Sequence, residues 1–89
     1  MKHKRIIVKG LVQGVGFRYY CAKKALELSI KGYARNMEDG SVLIEAEGDD
    51  NLVEEFISYV RIGPPLSRVN SIKVEELEYE GKYSSFRIY

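Results

Sequence analysis

The amino-acid sequence predicts an α+β fold in which two helices pack on one face of an antiparallel β-sheet. Two segments with helical periodicity, starting near Phe17 and near Asp50, alternate with short runs rich in β-branched residues. Two of these runs are joined by MEDG (residues 37 to 40), an Asp-Gly sequence typical of hairpins. A length of 89 residues allows a single hydrophobic core. We therefore expect one domain over residues 1 to 89.

The first strand is predicted at residues 5 to 9, RIIVK, where adjacent β-branched side chains favour a buried strand. Gly10 is expected to close it. The first helix is predicted from Phe17 to about Ser29, because apolar residues recur at steps of four and three along this segment. These apolar positions are Phe17, Cys21, Ala25 and Leu28.

The hairpin and the second helix occupy the middle of the chain. The predicted hairpin strands are residues 31 to 36 and 41 to 48, and the second of them alternates apolar with mostly polar side chains. The second helix should begin near Asp50, with Asp50 or Asn51 as its N-cap. The sequence GPP (63 to 65) is expected to end it, because proline cannot continue a helix.

Two further strands are predicted at residues 69 to 77 and 85 to 89. The complete order is then β-α-β-β-α-β with a short C-terminal strand, which consists of two split β-α-β units. Such units form the ferredoxin-like sandwich, with a four-stranded antiparallel sheet and both helices on one of its faces. Enzymes, RNA-binding proteins and regulatory ligand-binding domains all use this architecture, so the fold alone does not indicate a function.

Charge and apolar composition exclude several classes of function. With 14 basic and 13 acidic residues the net charge is +1, so the chain lacks the broad basic field that would hold nucleic acid. No apolar run approaches the roughly 20 residues needed to span a bilayer. The basic N-terminal sequence is not followed by the small-residue cleavage site of a secretory signal. We expect a cytoplasmic protein that binds neither nucleic acid nor membranes.

Cysteine and histidine are too few for the common metal sites. Cys21, the only cysteine, lies on the apolar stripe of the first helix and is expected to fill the core rather than to react. His3, the only histidine, lies among basic residues near the N-terminus and is expected to be frayed and solvated. We predict neither a metal nor a cofactor.

The segment QGVGFR (13 to 18) links the first strand to the first helix. Gly14 and Gly16 permit positive φ, and the free N–H groups of such a turn can join those of the helix start to form an anion site. Arg18 lies in the first helical turn, where the helix dipole disfavours a cation unless an anion is present. On glycine spacing alone, a tight turn followed by a solvated arginine is the simpler explanation. The segment lacks the Gly-Lys-Ser/Thr of nucleotide P-loops, which favours a small phosphate over a nucleotide.

Two longer stretches resemble a known family. GLVQGVGFR (10 to 18) is similar to the first signature of acylphosphatases, and GYARNMEDGSVLIEAEG (32 to 48) is similar to the second. The resemblance covers essentially the whole chain. It implies that the backbone amides of residues 15 to 18 and the Arg18 guanidinium hold a phosphate, and that Asn36 positions the attacking water. The implied phosphate-binding residues are Gln13, Gly14, Val15, Gly16, Phe17 and Arg18, and the implied catalytic residues are Arg18 and Asn36.

The implied reaction is metal-free hydrolysis of the carboxyl–phosphate bond of small acyl phosphates. The leaving group is a carboxylate whose conjugate acid has a pKa of about 4, so no general acid is required. Phosphoryl transfer depends mainly on positioning and on charge stabilisation, which an arginine and a ring of amides can supply. A loop of this size grips only the phosphoryl end, so acetyl phosphate, carbamoyl phosphate and a glycolytic acyl phosphate all remain open as substrates.

Two other functions are compatible with the same fold. One is a non-catalytic module that binds an anion or a nucleotide, and the other is an RNA-binding domain in which tyrosines stack on bases. Neutral charge and the absence of an aromatic-rich binding strand disfavour the RNA-binding alternative. We expect a small-molecule acyl phosphate as the partner and a monomer as the oligomeric state, although the sequence leaves the latter open.

Overall fold

A computed structural model describes residues 1 to 89 and confirms the predicted order of elements. The strands are β1 (Lys2–Leu11), β2 (Lys31–Asn36), β3 (Val42–Gly48), β4 (Arg68–Leu77) and β5 (Phe86–Ile88), and the helices are α1 (Phe17–Glu27) and α2 (Asp50–Ile62). The sheet has the order β4-β1-β3-β2-β5. Its first four strands are antiparallel neighbours, whereas β5 runs parallel to β2 at the edge. The predicted α+β sandwich is therefore confirmed, with β5 as a fifth strand of the same sheet.

The first strand continues past Gly10 to Leu11, so the prediction that Gly10 ends this strand was wrong. The register of β1 with β4 shifts between Lys9 and Gly10, which marks a bulge. Gly10 has a φ of 134°, and a Cβ at this position would lie 2.1 Å from the carbonyl oxygen of Arg68. Glycine is therefore required because the β4 backbone passes directly over it, and the bulge carries the chain on to Leu11.

The N-cap of α2 is Asp49, so the predicted caps, Asp50 and Asn51, were wrong. The Oδ1 atom of Asp49 accepts hydrogen bonds from the main-chain N–H of Asn51 at 3.0 Å and of Leu52 at 3.4 Å. The N-cap lies one residue before the first predicted cap, because the first of the three adjacent polar side chains reaches the free amides. The other helix, α1, ends at Glu27, two residues before its predicted end at Ser29.

The hydrophobic core lies between the helices and one face of the sheet. The strands contribute Ile6, Val8, Ala34 and Ile44, and none of these side chains is exposed to solvent. Cys21 is fully buried, as predicted, and burial raises the pKa of its thiol to about 12. Its side chain therefore remains a neutral core filler near neutral pH.

The opposite face of the sheet carries a buried charged cluster. His3 is only 2% exposed, so the prediction of a frayed, solvated histidine was wrong. Its Nε2 donates to Oε1 of Glu45 at 2.5 Å, and its Nδ1 lies 3.5 Å from Oε2 of Glu47. Arg5 donates through Nε to Oε2 of Glu45 at 2.9 Å. Strand pairing causes this arrangement, because His3 lies opposite Glu47 and Arg5 lies opposite Glu45 in the β1–β3 register.

The connection between β4 and β5 (residues 78 to 85) covers this cluster. The main-chain N–H groups of Glu80 and Gly81 donate to Oε2 of Glu47 at 3.3 and 3.2 Å. The phenol of Tyr83 donates to Oε1 of Glu45 at 3.2 Å. The cluster therefore links the centre of the sheet to the segment that leads into β5.

Neither α1 nor α2 has the length and the apolar character that a membrane-spanning helix needs.

Replacement of Glu45 by glutamine is expected to make stability less dependent on pH. Burial alone would raise the pKa of the Glu45 carboxyl, but hydrogen bonds and positive charge from Arg5 and His3 hold that pKa below its usual range. Its contribution is fully present above the unfolded pKa of about 4.3 and is lost as the pH falls through the folded pKa. Urea unfolding at pH 7 should show a loss of about 3 kcal/mol in Glu45→Gln, the lower end for breaking a buried pair.

The loss should begin to shrink as the pH falls through the unfolded pKa of about 4.3, and should approach zero only below the lowered folded pKa, where the native carboxyl is protonated. The control is Glu78→Gln, which removes an exposed carboxylate from the connection and should change the unfolding free energy by less than about 0.5 kcal/mol at either pH. A Glu45→Gln deficit of the same size at both pH values would contradict this account.

Candidate active site

The glycine loop (residues 12 to 16) joins β1 to α1. Gly14 and Gly16 have φ angles of 75° and 80°, which lie in the left-handed region that glycine adopts without strain. A Cβ on either residue would meet no protein atom within 4 Å. The glycines are therefore needed for the backbone conformation of the loop, and the side of the loop that they face is open to a ligand.

The start of α1 carries a run of main-chain N–H groups without an acceptor. Gln13 to Tyr19 donate no main-chain hydrogen bond within the protein, and the first such bond of the helix runs from Tyr20 N to Gly16 O at 3.0 Å. Gly16 is the N-cap, so no side chain caps the helix, and its first turn contains no acidic residue. Free amides and the positive end of the helix dipole therefore combine at one place.

These groups surround a small cavity of about 120 Å³. Its lining consists of Val12, Gly14, Gly16, Phe17, Arg18, Tyr19 and Ile88. The Phe17 ring is buried in the core, whereas Val15 is partly buried and packs against the core. Phe17 and Val15 therefore anchor the loop on its inner side, and the glycines and amides remain on its outer side.

Arg18 lies at the rim of this cavity and is half-buried. Its Nη1 donates to the main-chain oxygen of Tyr89, and no Asp or Glu side chain lies within ion-pair distance of the guanidinium. Tyr89 is in turn held by a hydrogen bond from its N–H to the oxygen of Ala34 at 2.9 Å. The guanidinium is thus positioned beside β2 while its charge is not neutralised by an acidic side chain.

Gln13 ties the glycine loop to the turn between β2 and β3. Its Nε2 donates to the main-chain oxygens of Met37 and Ser41 at 2.8 and 2.9 Å. Both hydrogens of the carboxamide are thereby engaged, so the Gln13 side chain acts on the shape of the loop. Ser41 was not singled out from the sequence; its Oγ donates to Oδ1 of Asp39 at 2.6 Å, which rigidifies the turn.

Asn36 is the last residue of β2 and immediately precedes Met37, to which Gln13 is bonded. It follows Ala34 at a spacing of two, so it lies on the helix-covered face of the sheet. Its Oδ1 atom is buried and has no hydrogen-bond donor within the protein. Buried polar atoms usually find a partner, so this acceptor is suited to a ligand or water. The structure places Arg18 and Asn36 at the same end of the sheet.

A larger cavity of about 760 Å³ lies on the opposite face of the sheet, and Asn36 is among its lining residues but not among those of the smaller cavity. Three basic side chains line it, but so do three acidic ones: Arg5, Lys9, Arg35, Glu38, Asp39 and Glu45. Such a lining has no net attraction for an anion. We regard the smaller cavity as the candidate site because free amides converge there.

Comparison with known proteins gives consistent results. The sequence model of the acylphosphatase family matches residues 4 to 88. The acylphosphatase of Thermotoga maritima is 50% identical over 88 residues, which cover 99% of this chain and 97% of that protein. The acylphosphatase of Chlorobaculum tepidum is 49% identical over 87 residues, which cover 98% of this chain and 95% of that protein. The crystal structure of acylphosphatase from Bacillus subtilis aligns with a TM-score of 0.96 at 40% identity and covers 100% of this chain and 99% of that chain.

Titration with inorganic phosphate should identify the site by NMR. We expect the amide resonances of residues 13 to 19 to move most, because their N–H groups gain an acceptor. The residues on the opposite face, such as Arg5 and Lys9, provide the internal control and should not move. Shifts centred on the larger cavity instead would contradict the assignment.

Proposed function

The chain belongs to the acylphosphatase family, and from this membership we propose which of its residues bind the substrate and which act on it. The reaction is the hydrolysis of acyl phosphates to a carboxylate and inorganic phosphate, and it requires no metal. We propose that the glycine loop and Arg18 hold the phosphoryl group and that Asn36 positions the attacking water.

Phosphate binding is supported by the run of unpartnered amides from Gln13 to Tyr19, the observation that carries the proposal. The amides of residues 15 to 18 donate to the phosphoryl oxygens, and Arg18 adds a planar pair of N–H donors. No Asp or Glu side chain pairs with Arg18, so its guanidinium can bind phosphoryl oxygens without leaving an acidic side chain unpaired. The same donors stabilise the charge on the equatorial oxygens in the transition state.

We assign to Asn36 the positioning of the attacking water. A carboxamide has no proton-accepting chemistry near neutral pH, so its contribution is geometric: the buried Oδ1 accepts a hydrogen bond from the water and directs a water lone pair at phosphorus. The water proton passes to a phosphoryl oxygen or to bulk water. The departing carboxylate is a weak base and leaves without protonation.

Substrate selection follows from the size of the site. A cavity of about 120 Å³ matches a phosphoryl group, so the acyl group extends outside it. We propose broad selectivity among small acyl phosphates for this reason. We further propose that the protein is a monomer, that it acts in the cytoplasm and that it does not bind nucleic acid. The net charge of +1 supports the last of these three points.

Arg18→Ala is expected to lower kcat/KM for benzoyl phosphate by a factor of about 100 or more, the usual effect of removing one charge-stabilising donor. Hydrolysis is followed by the loss of substrate absorbance in the presence of EDTA. The control is Arg87→Ala, which removes an exposed arginine of β5 and should leave kcat/KM within about twofold. Retention of full activity by Arg18→Ala would remove the site assignment.

Asn36→Ala is expected to bind inorganic phosphate with nearly native affinity and to lose kcat by a factor of about 100, because only the attacking water loses its partner. Inhibition by phosphate and single-substrate kinetics separate the two effects. Phosphate binding by the native chain without any turnover of acyl phosphate would instead favour the non-catalytic binding module.

A further inference from the structure

The orientation of Arg18 depends on Tyr89, whose main-chain oxygen accepts its hydrogen bond. Tyr89 is held to β2 in two ways. Its N–H bonds to the oxygen of Ala34 at 2.9 Å, and its ring packs edge-to-face on Tyr33, with centroids 5.7 Å apart. The guanidinium of Arg35 lies 5.2 Å from the Tyr89 ring and 5.5 Å from the Tyr33 ring. These contacts determine where the acceptor for Arg18 lies.

The series of ring contacts continues from Tyr33 across the face of the sheet that the helices leave uncovered. The Tyr33 ring packs edge-to-face on Tyr83, with centroids 6.0 Å apart and an interplanar angle of 72°. The Tyr83 ring packs in turn on His3, at 6.0 Å and 89°. We call Tyr83, Tyr33 and Tyr89 the aromatic row. It runs from the buried charged cluster to the residue that holds Arg18.

Tyr83 is fixed at the cluster end of this row. Its phenol donates to Oε1 of Glu45 at 3.2 Å, and burial together with the charge of Glu45 raises the pKa of that phenol. The phenol therefore stays protonated as a donor. Edge-to-face pairs hold rings at defined angles, so a ring fixed at one end of the row restrains the next ring.

We propose that Tyr83 is a positioning residue for Arg18, acting through Tyr33 and Tyr89 from the face of the sheet opposite the phosphate site. This inference rests on the proposed role of Arg18 in phosphate binding. Loss of the Tyr83 ring leaves Tyr33 without support on one side, which lets Tyr89 and the Arg18 acceptor move. The consequence is weaker phosphate binding, whereas Asn36 and the water step are unaffected.

The test compares three variants with the native chain in benzoyl phosphate hydrolysis. Tyr83→Leu should raise both KM and the inhibition constant of inorganic phosphate by about 3- to 10-fold, as expected for the loss of one or two aromatic pairs. Tyr83→Phe retains the ring but loses the bond to Glu45, so both constants should lie closer to the native values than those of Tyr83→Leu. Tyr79→Leu, the matched control, removes an exposed tyrosine from the same connection and should change neither.

A double variant distinguishes positioning from general destabilisation. In the Arg18→Ala background, Tyr83→Leu should change the inhibition constant of phosphate by less than about twofold, because the residue through which it acts is absent. A loss of equal size in both backgrounds would overturn the proposal. A fall in kcat with KM and the inhibition constant of phosphate both unchanged would do so as well, because phosphate binding would then be intact.

The outcomes also separate this inference from the proposed function. If Arg18→Ala weakens phosphate binding while Tyr83→Leu retains native constants, only the positioning role fails. If Arg18→Ala itself binds phosphate normally, the site assignment fails first. Should Tyr83→Leu not fold, Tyr33→Leu breaks the row one residue closer to Tyr89 and must raise the same two constants. Failure of both to fold would overturn the proposal, because the row would then serve folding rather than Arg18.

Discussion

The main-chain amides at the start of α1 have no acceptor within the protein, and the other residues of the candidate site lie around these free donors. Helix starts normally satisfy such groups with a capping side chain, as Asp49 does at the start of α2. Gly16 at the equivalent place in α1 provides no side chain. The two helices thus differ at the N-cap position, and that difference leaves α1 with the free amides at which we propose that the phosphate binds.

An uncapped helix start can present its free amides to an anion only if the loop before it keeps its shape. The two hydrogen bonds of Gln13 attach the loop to the β2–β3 turn, and the buried Phe17 ring attaches it to the core. The same turn follows Asn36, so one set of contacts sets the distance between the amides and the carboxamide. Arg18 is attached separately, through Tyr89 and β5. The short edge strand therefore belongs to the working structure of the site.

The chemistry matches this sparse set of groups. An acyl phosphate already contains a good leaving group, so the protein has to supply donors for phosphoryl oxygens and a position for water. In the site that we propose, amides, a guanidinium and a carboxamide meet these needs without any group that changes charge near neutral pH. The ionisable cluster of His3, Glu45 and Glu47 lies on the other face of the sheet, where it stabilises the fold and the connection to β5.

Local patterns in the sequence determined the order of elements, the burial of Cys21 and the residue types of the glycine loop, because periodicity and glycine chemistry act over a few neighbouring residues. The roles of Arg18 and Asn36 were predicted only as part of two longer motifs, and they stay predictions. Only the tertiary structure decided that Gly10 forms a bulge under β4, that His3 is buried and that the Tyr89 oxygen holds Arg18. Each of these depends on strands that pair from distant parts of the chain, and a main-chain acceptor leaves no trace in residue type. Side-chain identity encodes local preference, whereas the partner that a buried polar group finds is set by which strands the fold brings together.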